Sequence, residues 1–250
     1  MYLCIMKKYG LIGCRLSHSW SQQWFEEMFR RECITDASYQ LFELDSVNDL
    51  PCWAAENRLS GFNVTIPYKE AVVNHLDDVD SAARAIGAVN CVARCGSRLI
   101  GYNTDAPAFA ETLRPMLAPE HRHALVLGTG GVAKAVVYAL RQLGISATMV
   151  SRQPKLHPGS VSYAEAVALS QSHLLIVNAT PVGMYPNVHN SPWPDFSCIG
   201  ARHLCYDLIY NPSPTLFLSR AAQQGAATCG GLAMLHRQAQ LSWDIWQSNA

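Results

Sequence analysis

"HALVLGTGGVAKAVVYALRQLG", residues 123–144, changes its periodicity in the middle. The apolar run up to Leu127 reads as a buried strand, and the residues after Gly131 show helical spacing. Between them, glycines at 128, 130 and 131 permit a tight turn. Strand, glycine turn and helix in that order bring backbone N–H groups to the helix N-terminus, where a pyrophosphate is held. Ala133 stands at the third glycine of the strict pattern, a position whose helix–strand packing tolerates it. A plain tight βα turn uses the same glycines. The setting favours dinucleotide binding by Gly128, Thr129, Gly130, Gly131, Val132 and Ala133.

Working outward toward the C-terminus, "SATMVS" (146–151), "HLLIVNAT" (173–180) and "HLCYDLIY" (203–210) read as further strands. "SPTLFLSRAAQQG" (213–225) and "LAMLHRQAQLSWDIWQ" (232–247) read as amphipathic helices, and the block opens with a helix over 107–118 that ends near Pro119. After "SATMVS", where an acidic residue would hold an NAD ribose, the chain reads Ser151-Arg152-Gln153-Pro154-Lys155. Arg152, with Lys155 near it, pairs instead with a 2′-phosphate, which argues for NADP(H); a solvated basic turn is the competing account. "YPNVHNSPWPD" (185–195), rich in Pro and Asn, is expected to form a mobile loop over this domain.

Toward the N-terminus the pattern again alternates. Strands are predicted at 9–14, 38–44 and 61–66, and helices at 20–32, 47–57 and from Tyr68 onward. "CVARC" then turns at Gly96 into "LIGYNTD". This order implies a mostly parallel sheet with crossover helices. The predicted architecture is α/β with two domains. Residues 1–106 plus 232–250 form a substrate-binding domain, residues 107–231 form a Rossmann-type dinucleotide-binding domain, and an active-site cleft lies between them.

Three polar clusters mark predicted strand ends in the first domain. Ser17, His18, Ser19 and Ser21 follow the first strand, "NVTIPYK" (63–69) ends the third with Lys69 on the next turn, and "GYNTD" (101–105) ends another. Each taken alone is an ordinary cap or ion pair. In open α/β sheets, however, ligands bind beyond the carboxyl ends of the strands, so the three converge on one crevice. Hydroxyls at a helix N-terminus make an anion seat there.

Composition bounds the rest. Of 250 residues, 49% are hydrophobic and 15% charged, enough for a buried core in one large or two modest domains. Nineteen basic and nineteen acidic residues cancel, so no global field attracts nucleic acid or an anionic membrane. No apolar run approaches the roughly 18 residues of a spanning helix, and the start is the reverse of a secretory signal. A cytoplasmic protein is expected, with residues 1–5 a dispensable extension. Nine scattered cysteines, with no zinc-type spacing, read as buried free thiols. No metal site is expected.

"SHSWS", "NVTIPYK", "AVN", "GYNTD", "GTGGVA", "NATPVGM", "YDLIY" and "GLAMLHRQA" together resemble the shikimate dehydrogenases in order and spacing, across nearly the whole chain. The resemblance implies NADPH-dependent reduction of 3-dehydroshikimate to shikimate, on the route to aromatic amino acids. It implies Lys69 as general acid and base with Asp105 beside it. Ser19 and Ser21 would bind the substrate carboxylate with Tyr210 assisting, while Thr65, Asn90, Asp105 and Gln238 would hold ring hydroxyls. Gly128, Gly130 and Gly131 would cradle the pyrophosphate, Arg152 and Ser151 would take the 2′-phosphate side, and Thr180, Leu208 and Gly231 would line the nicotinamide pocket. Partners would be the small-molecule substrate and cofactor, in a monomer or homodimer.

The chain departs from the family at Gln22, where Pro is usual, at Cys91, Ala106 and Pro107, and at "SRQ" in place of "NRT". Competing readings are a quinate or quinate/shikimate dehydrogenase, with NAD as its alternative cofactor, and a silent ligand sensor. Retention of Lys69 and Asp105 speaks against the sensor. A Ser/His hydrolase lacks its G-x-S-x-G elbow.

Overall fold

The structure, a computed structural model, describes residues 6–16 and 19–249. The expected extension at 1–5, and Ser17 and His18 of the hydroxyl cluster, lie outside the described residues. The chain divides into two compact units, Met1–Thr104 with His236–Ala250, and Asp105–Leu235.

The first unit carries β1 (Lys7–Gly13), α1 (Ser21–Arg31), β2 (Ala37–Glu43), α2 (Leu50–Glu56), β3 (Leu59–Val64), β4 (Asp78–Val79), α3 (Ser81–Ile86), β5 (Cys91–Cys95) and β6 (Arg98–Tyr102). Its six strands run in the order β2-β1-β3-β5-β6-β4. β1 pairs parallel with β2 and β3, and β4 with β6, while β5 is antiparallel to both its neighbours. The sheet is thus mostly parallel, as the alternation requires. Because β1 leads to β2 on one side and its other neighbour is β3, the strand order reverses at the β1/β3 edge. The ends of those strands are where a ligand crevice is expected.

The helix predicted from Tyr68 does not form. Tyr68 lies outside any element, Lys69 and Glu70 are turn residues, and only a short 3-10 segment, Ala71–His75, follows. Its run of two β-branched valines and Asn has poor helix propensity, and the segment is spent closing the turn.

The second unit carries α4 (Asp105–Leu113), β7 (His123–Leu127), α5 (Gly131–Gln142), β8 (Ser146–Val150), α6 (Tyr163–Leu169), β9 (Leu175–Asn178), β10 (Leu204–Asp207), α7 (Leu216–Gln223) and β11 (Ala227–Gly230). The strand order is β11-β10-β9-β7-β8, with every pair parallel. This is a doubly wound sheet whose order reverses between β7 and β9. Leu125, Leu127, Ile176 and Cys205 on its strands pack with Phe217 and Trp193. Trp193 also pins the Pro-rich 185–195 stretch, its Nε1 donating to the Asp195 carbonyl at 2.7 Å.

The last helix, α8 (Leu232–Ser248), crosses from the second unit into the first. Its Ala239, Trp243 and Trp246 pack with Tyr9, Phe25, Met28, Phe29 and Tyr39. Trp246 stacks on Tyr9 with centroids 4.6 Å apart. Trp20, which precedes α1, is 44% exposed, whereas Phe25 and Phe29 on that helix are buried. The cysteines also differ from expectation. Cys91 and Cys205 are buried, but Cys14 and Cys33, just past β1 and α1, Cys52 on α2 and Cys95 at the end of β5 are exposed.

Candidate active site

In the first unit, β1 and β3 end side by side. Thr65 N–H donates to the Ile12 carbonyl at 2.9 Å, and a Cβ placed on Gly13 would lie 2.6 Å from Thr65 Cγ2 and 2.7 Å from Leu16 Cδ2. A side chain at position 13 would have to displace both, so glycine suits the close passage of the chain leaving β1 past Thr65. That chain is held by Leu16 N–H on Glu43 Oε1 at 2.7 Å and Ser19 N–H on the Leu16 carbonyl at 2.8 Å. Ser19 Oγ in turn accepts from Ser21 N–H at 3.3 Å, so one serine of the cluster does serve the helix start.

Lys69 is half-buried, between buried Tyr68 and a strand-like bond in which Val89 N–H donates to the Lys69 carbonyl at 2.8 Å. Tyr68 OH donates to the Leu44 carbonyl at 2.5 Å. The lysine thus stands on an anchored turn although no helix carries it. On the far side of β3, Asn90 is buried, and its carbonyl accepts Val64 N–H at 2.9 Å. Asn103 Nδ2 donates to the Ala88 carbonyl at 2.9 Å, clipping "AVN" to "GYNTD". The first unit therefore brings Ser19, Ser21, Thr65, Lys69 and Asn90 to neighbouring strand ends, and Gln238 lies on α8 of the same unit.

Four residues tie these together, of which Asn63 and Thr104 stand in the polar clusters without a role of their own and Tyr39 and Ser242 were not singled out. Tyr39 OH donates to Asn63 Oδ1 at 2.9 Å, and Asn63 Nδ2 donates to Ser242 Oγ at 2.8 Å and to the Asn90 carbonyl at 3.2 Å. Thr104 Oγ1 meets Ser242 Oγ at 3.3 Å. Their sequence signal was present but faint: a polar residue on an otherwise apolar strand, and a serine on the apolar face of α8.

In the second unit, Gly128 has φ 114°, a conformation that favours glycine, and it follows β7 directly. A Cβ there would lie 3.1 Å from the Ala179 carbonyl oxygen and 3.2 Å from Thr180 Cγ2, which places the glycine turn against the end of β9. Gly130 has room on its Cβ side, where no protein atom lies within 4 Å. Gly131 begins α5, with Val132 and buried Ala133 in its first turn. Thr129 Oγ1 meets His157 Nε2 at 3.4 Å, a neighbour the sequence reading did not single out. After β8, buried Ser151 accepts Gln153 N–H on its Oγ at 3.0 Å, and Arg152 is exposed. An open glycine turn at a strand-order reversal, followed by an exposed arginine with no acidic residue in its place, fits NADP(H).

The strands next to the turn are braced by buried charge. Asp207 Oδ1 accepts from Asn178 Nδ2 at 2.9 Å and from Ile209 N–H at 3.0 Å, and its Oδ2 accepts from Thr215 Oγ1 at 2.7 Å. Burial pushes this carboxyl up to about 6 against those donors. Asn178 Oδ1 also accepts from Thr180 Oγ1 at 2.7 Å, and Leu208 N–H donates to the Asn178 carbonyl at 3.0 Å. A Cβ on Gly231 would overlap the Leu208 carbonyl, so glycine is required for that approach. Asp105, the first residue of α4, and Tyr210 belong to this second unit, apart in the chain's division from the other substrate residues of the resemblance. Among the described residues, no group of three His, Cys, Asp or Glu forms a metal site, and no helix is long and apolar enough to cross a membrane.

A family model described as the shikimate dehydrogenase substrate binding domain matches residues 11–92. The shikimate dehydrogenase (NADP(+)) of Bacillus subtilis (strain 168) is 33% identical over 260 residues, covering 96% of this chain and 92% of its own. Among solved structures, the shikimate 5-dehydrogenase of Thermus thermophilus, in complex with NADP(H) and shikimate, is 33% identical with a TM-score of 0.82, over 97% of this chain and 94% of that one. The ligand-free 5-ketofructose reductase of Gluconobacter sp. strain CHM43 is 28% identical with a TM-score of 0.80, over 97% and 93%.

Proposed function

The chain belongs to the shikimate dehydrogenase family, and from that premise we propose that it interconverts 3-dehydroshikimate and shikimate with NADP(H), using Lys69 as general acid and base and Asp105 as its partner. The observation that carries this reading is the near-full-length likeness to NADP(+)-dependent shikimate dehydrogenases. It is supported by a lysine held on an anchored turn beyond the end of β3.

NADPH, when bound, supplies the hydride to the ketone carbon. The oxygen at that carbon then needs a proton within hydrogen-bond reach. Lys69 Nζ gives the proton in reduction and takes it back in oxidation, while Asp105 balances the lysine charge and binds a ring hydroxyl. Ser19 and Ser21 hold the substrate carboxylate with Tyr210. Thr65, Asn90 and Gln238 fix the remaining ring hydroxyls. In the second unit, the backbone from Gly128 to Ala133 receives the pyrophosphate, Arg152 with Ser151 receives the 2′-phosphate, and Thr180, Leu208 and Gly231 flank the nicotinamide. The reading extends to a step in aromatic amino acid biosynthesis in the cytoplasm.

The test is nicotinamide absorbance near 340 nm with shikimate, quinate or 5-ketofructose, each paired with the NADP or the NAD couple. Turnover with shikimate and NADP well above the other pairs is expected. Turnover chiefly with quinate, 5-ketofructose or NAD overturns the substrate or cofactor assignment. Lys69→Ala should lower kcat by about 10²–10⁴-fold, the usual worth of a positioned acid and base, while KM changes far less. A kcat near wild type in that variant removes Lys69 from the chemistry.

A further inference from the structure

The four residues joining the strand ends form a hydrogen-bonded chain whose proton directions can be assigned. Ser242 Oγ donates to the Gln238 carbonyl at 2.8 Å, one helical turn back on α8. Its single proton being used there, Ser242 accepts from both Asn63 Nδ2 and Thr104 Oγ1. Thr104 Oγ1, donating to Ser242, accepts from Asn90 Nδ2 at 2.9 Å. The other end of the Asn90 amide accepts Thr104 N–H at 2.7 Å, and a backbone N–H can only donate. Asn90 is therefore held in one of its two flip states by contacts at both ends, and the hydroxyl contact is set by Ser242.

Ser242 has 0% exposure, so it touches no substrate, and Thr104 has 1%. We propose that Ser242 is a positioning residue for substrate binding: by taking the Thr104 hydroxyl proton it leaves Thr104 Oγ1 to accept from Asn90 Nδ2, which holds the amide in the flip state set at its other end by Thr104 N–H, and through the Gln238 carbonyl it pins the turn of α8 that carries Gln238. This rests on the reading of Asn90 and Gln238 as substrate residues. The polarity matters because a flipped amide offers a carbonyl where a ring hydroxyl needs a donor. A misplaced amide weakens substrate binding without touching the proton transfer at Lys69.

The experiment is steady-state kinetics with shikimate and NADP on Ser242→Ala, Thr104→Val, Thr104→Ser, Asn90→Ala and the double variant Ser242→Ala/Asn90→Ala, with thermal unfolding run alongside. Ser242→Ala and Thr104→Val are each expected to raise KM for shikimate about fivefold, the worth of one ordinary hydrogen bond, with KM for NADP unchanged and kcat changed less. Thr104→Ser, which keeps the hydroxyl, should stay near wild type. In the Asn90→Ala background, Ser242→Ala should raise KM by less than it does alone, since part of its effect passes through Asn90. Full additivity, or an equal rise in KM for NADP, overturns the positioning role. Should Ser242→Ala fail to fold, Thr104→Val against Thr104→Ser decides the same point. An Asn90→Ala enzyme with wild-type KM overturns the substrate assignment of Asn90 itself, a separate failure that the single variant reveals.

Discussion

Arg152 is exposed on a turn whose backbone is fixed by the Ser151 hydroxyl and by Ser151 N–H on the Val161 carbonyl at 2.8 Å. Serine in place of the family's usual residue thus still shapes the turn, which the sequence alone left open. In the proposed role, a charge-assisted bond from this guanidinium to a 2′-phosphate would contribute about 1.5–3 kcal/mol. Arg152→Gln should therefore raise KM for NADP about tenfold to a hundredfold and leave KM for NAD nearly unchanged, measured by kinetics with both cofactors. Equal effects on the two cofactors would place Arg152 elsewhere than the 2′-phosphate. Asp207 was not legible as a special residue, because its state depends on donors from three separate segments. With its folded value raised to about 6 by burial, the native state keeps a proton that the unfolded chain releases near pH 4. Native protein binds more protons across that window, so this group's contribution to stability falls as pH rises from 4 to 6. The fall is about 3 kcal/mol at most, taking 1.4 kcal/mol per unit. Asp207→Asn should flatten the pH dependence of thermal unfolding between pH 4 and 6; an unchanged slope would mean that Asp207 does not set it.

At the scale of elements, strong periodicity and glycine turns were readable, and short or edge elements were not. The strand–turn–helix of 123–144 and the helix over 232–247 appear as β7, α5 and α8 with ends shifted by a residue or a few. β11 has only four residues at a sheet edge, too few for an alternation to show. α6 is also short, yet its capping box was in the sequence: Ser162 Oγ accepts Glu165 N–H, and the Glu165 side chain accepts Ser162 N–H. The site's Lys69 was legible as a residue but not as a conformation, because the turn that carries it depends on Tyr68 and Val89 reaching distant partners. α8 fits its sheet through glycine. A Cβ on Gly61 of β3 would overlap the Trp246 indole, whose Nε1 donates to the Val92 carbonyl at 2.9 Å on β5. Gly61→Ala must displace that ring, and overpacking of this kind costs about 1–3 kcal/mol. Denaturant unfolding should show a midpoint lowered accordingly; an unchanged midpoint would mean that the indole relaxes without loss.

At the scale of the molecule, the two units are built differently along the chain. The second is one continuous segment, Asp105–Leu235, with its own sheet and core, whereas the first needs residues from both ends of the sequence. The alternation of strands and helices made two α/β blocks legible. That the first block is incomplete without the last helix follows from packing: Trp243 and Trp246 cover Tyr9, Phe25 and Phe29, and Ser242 closes the polar chain beneath the strand ends. Removing 236–250 deletes two large aromatic side chains from the core, each worth about 3–5 kcal/mol, and leaves Asn63 Nδ2 without one of its acceptors. That loss is comparable with the whole stability of a domain, about 5–15 kcal/mol. A chain cut to residues 105–235 should therefore fold on its own, unfold cooperatively, and gain thermal stability on adding NADP(H), because binding to the native state alone shifts its unfolding upward. A chain cut to residues 6–104 should show no cooperative transition by circular dichroism. Its restoration by a separate peptide of residues 232–249 would show that the helix acts by packing. A cooperative transition in 6–104 alone would mean that the first unit's core is complete without α8.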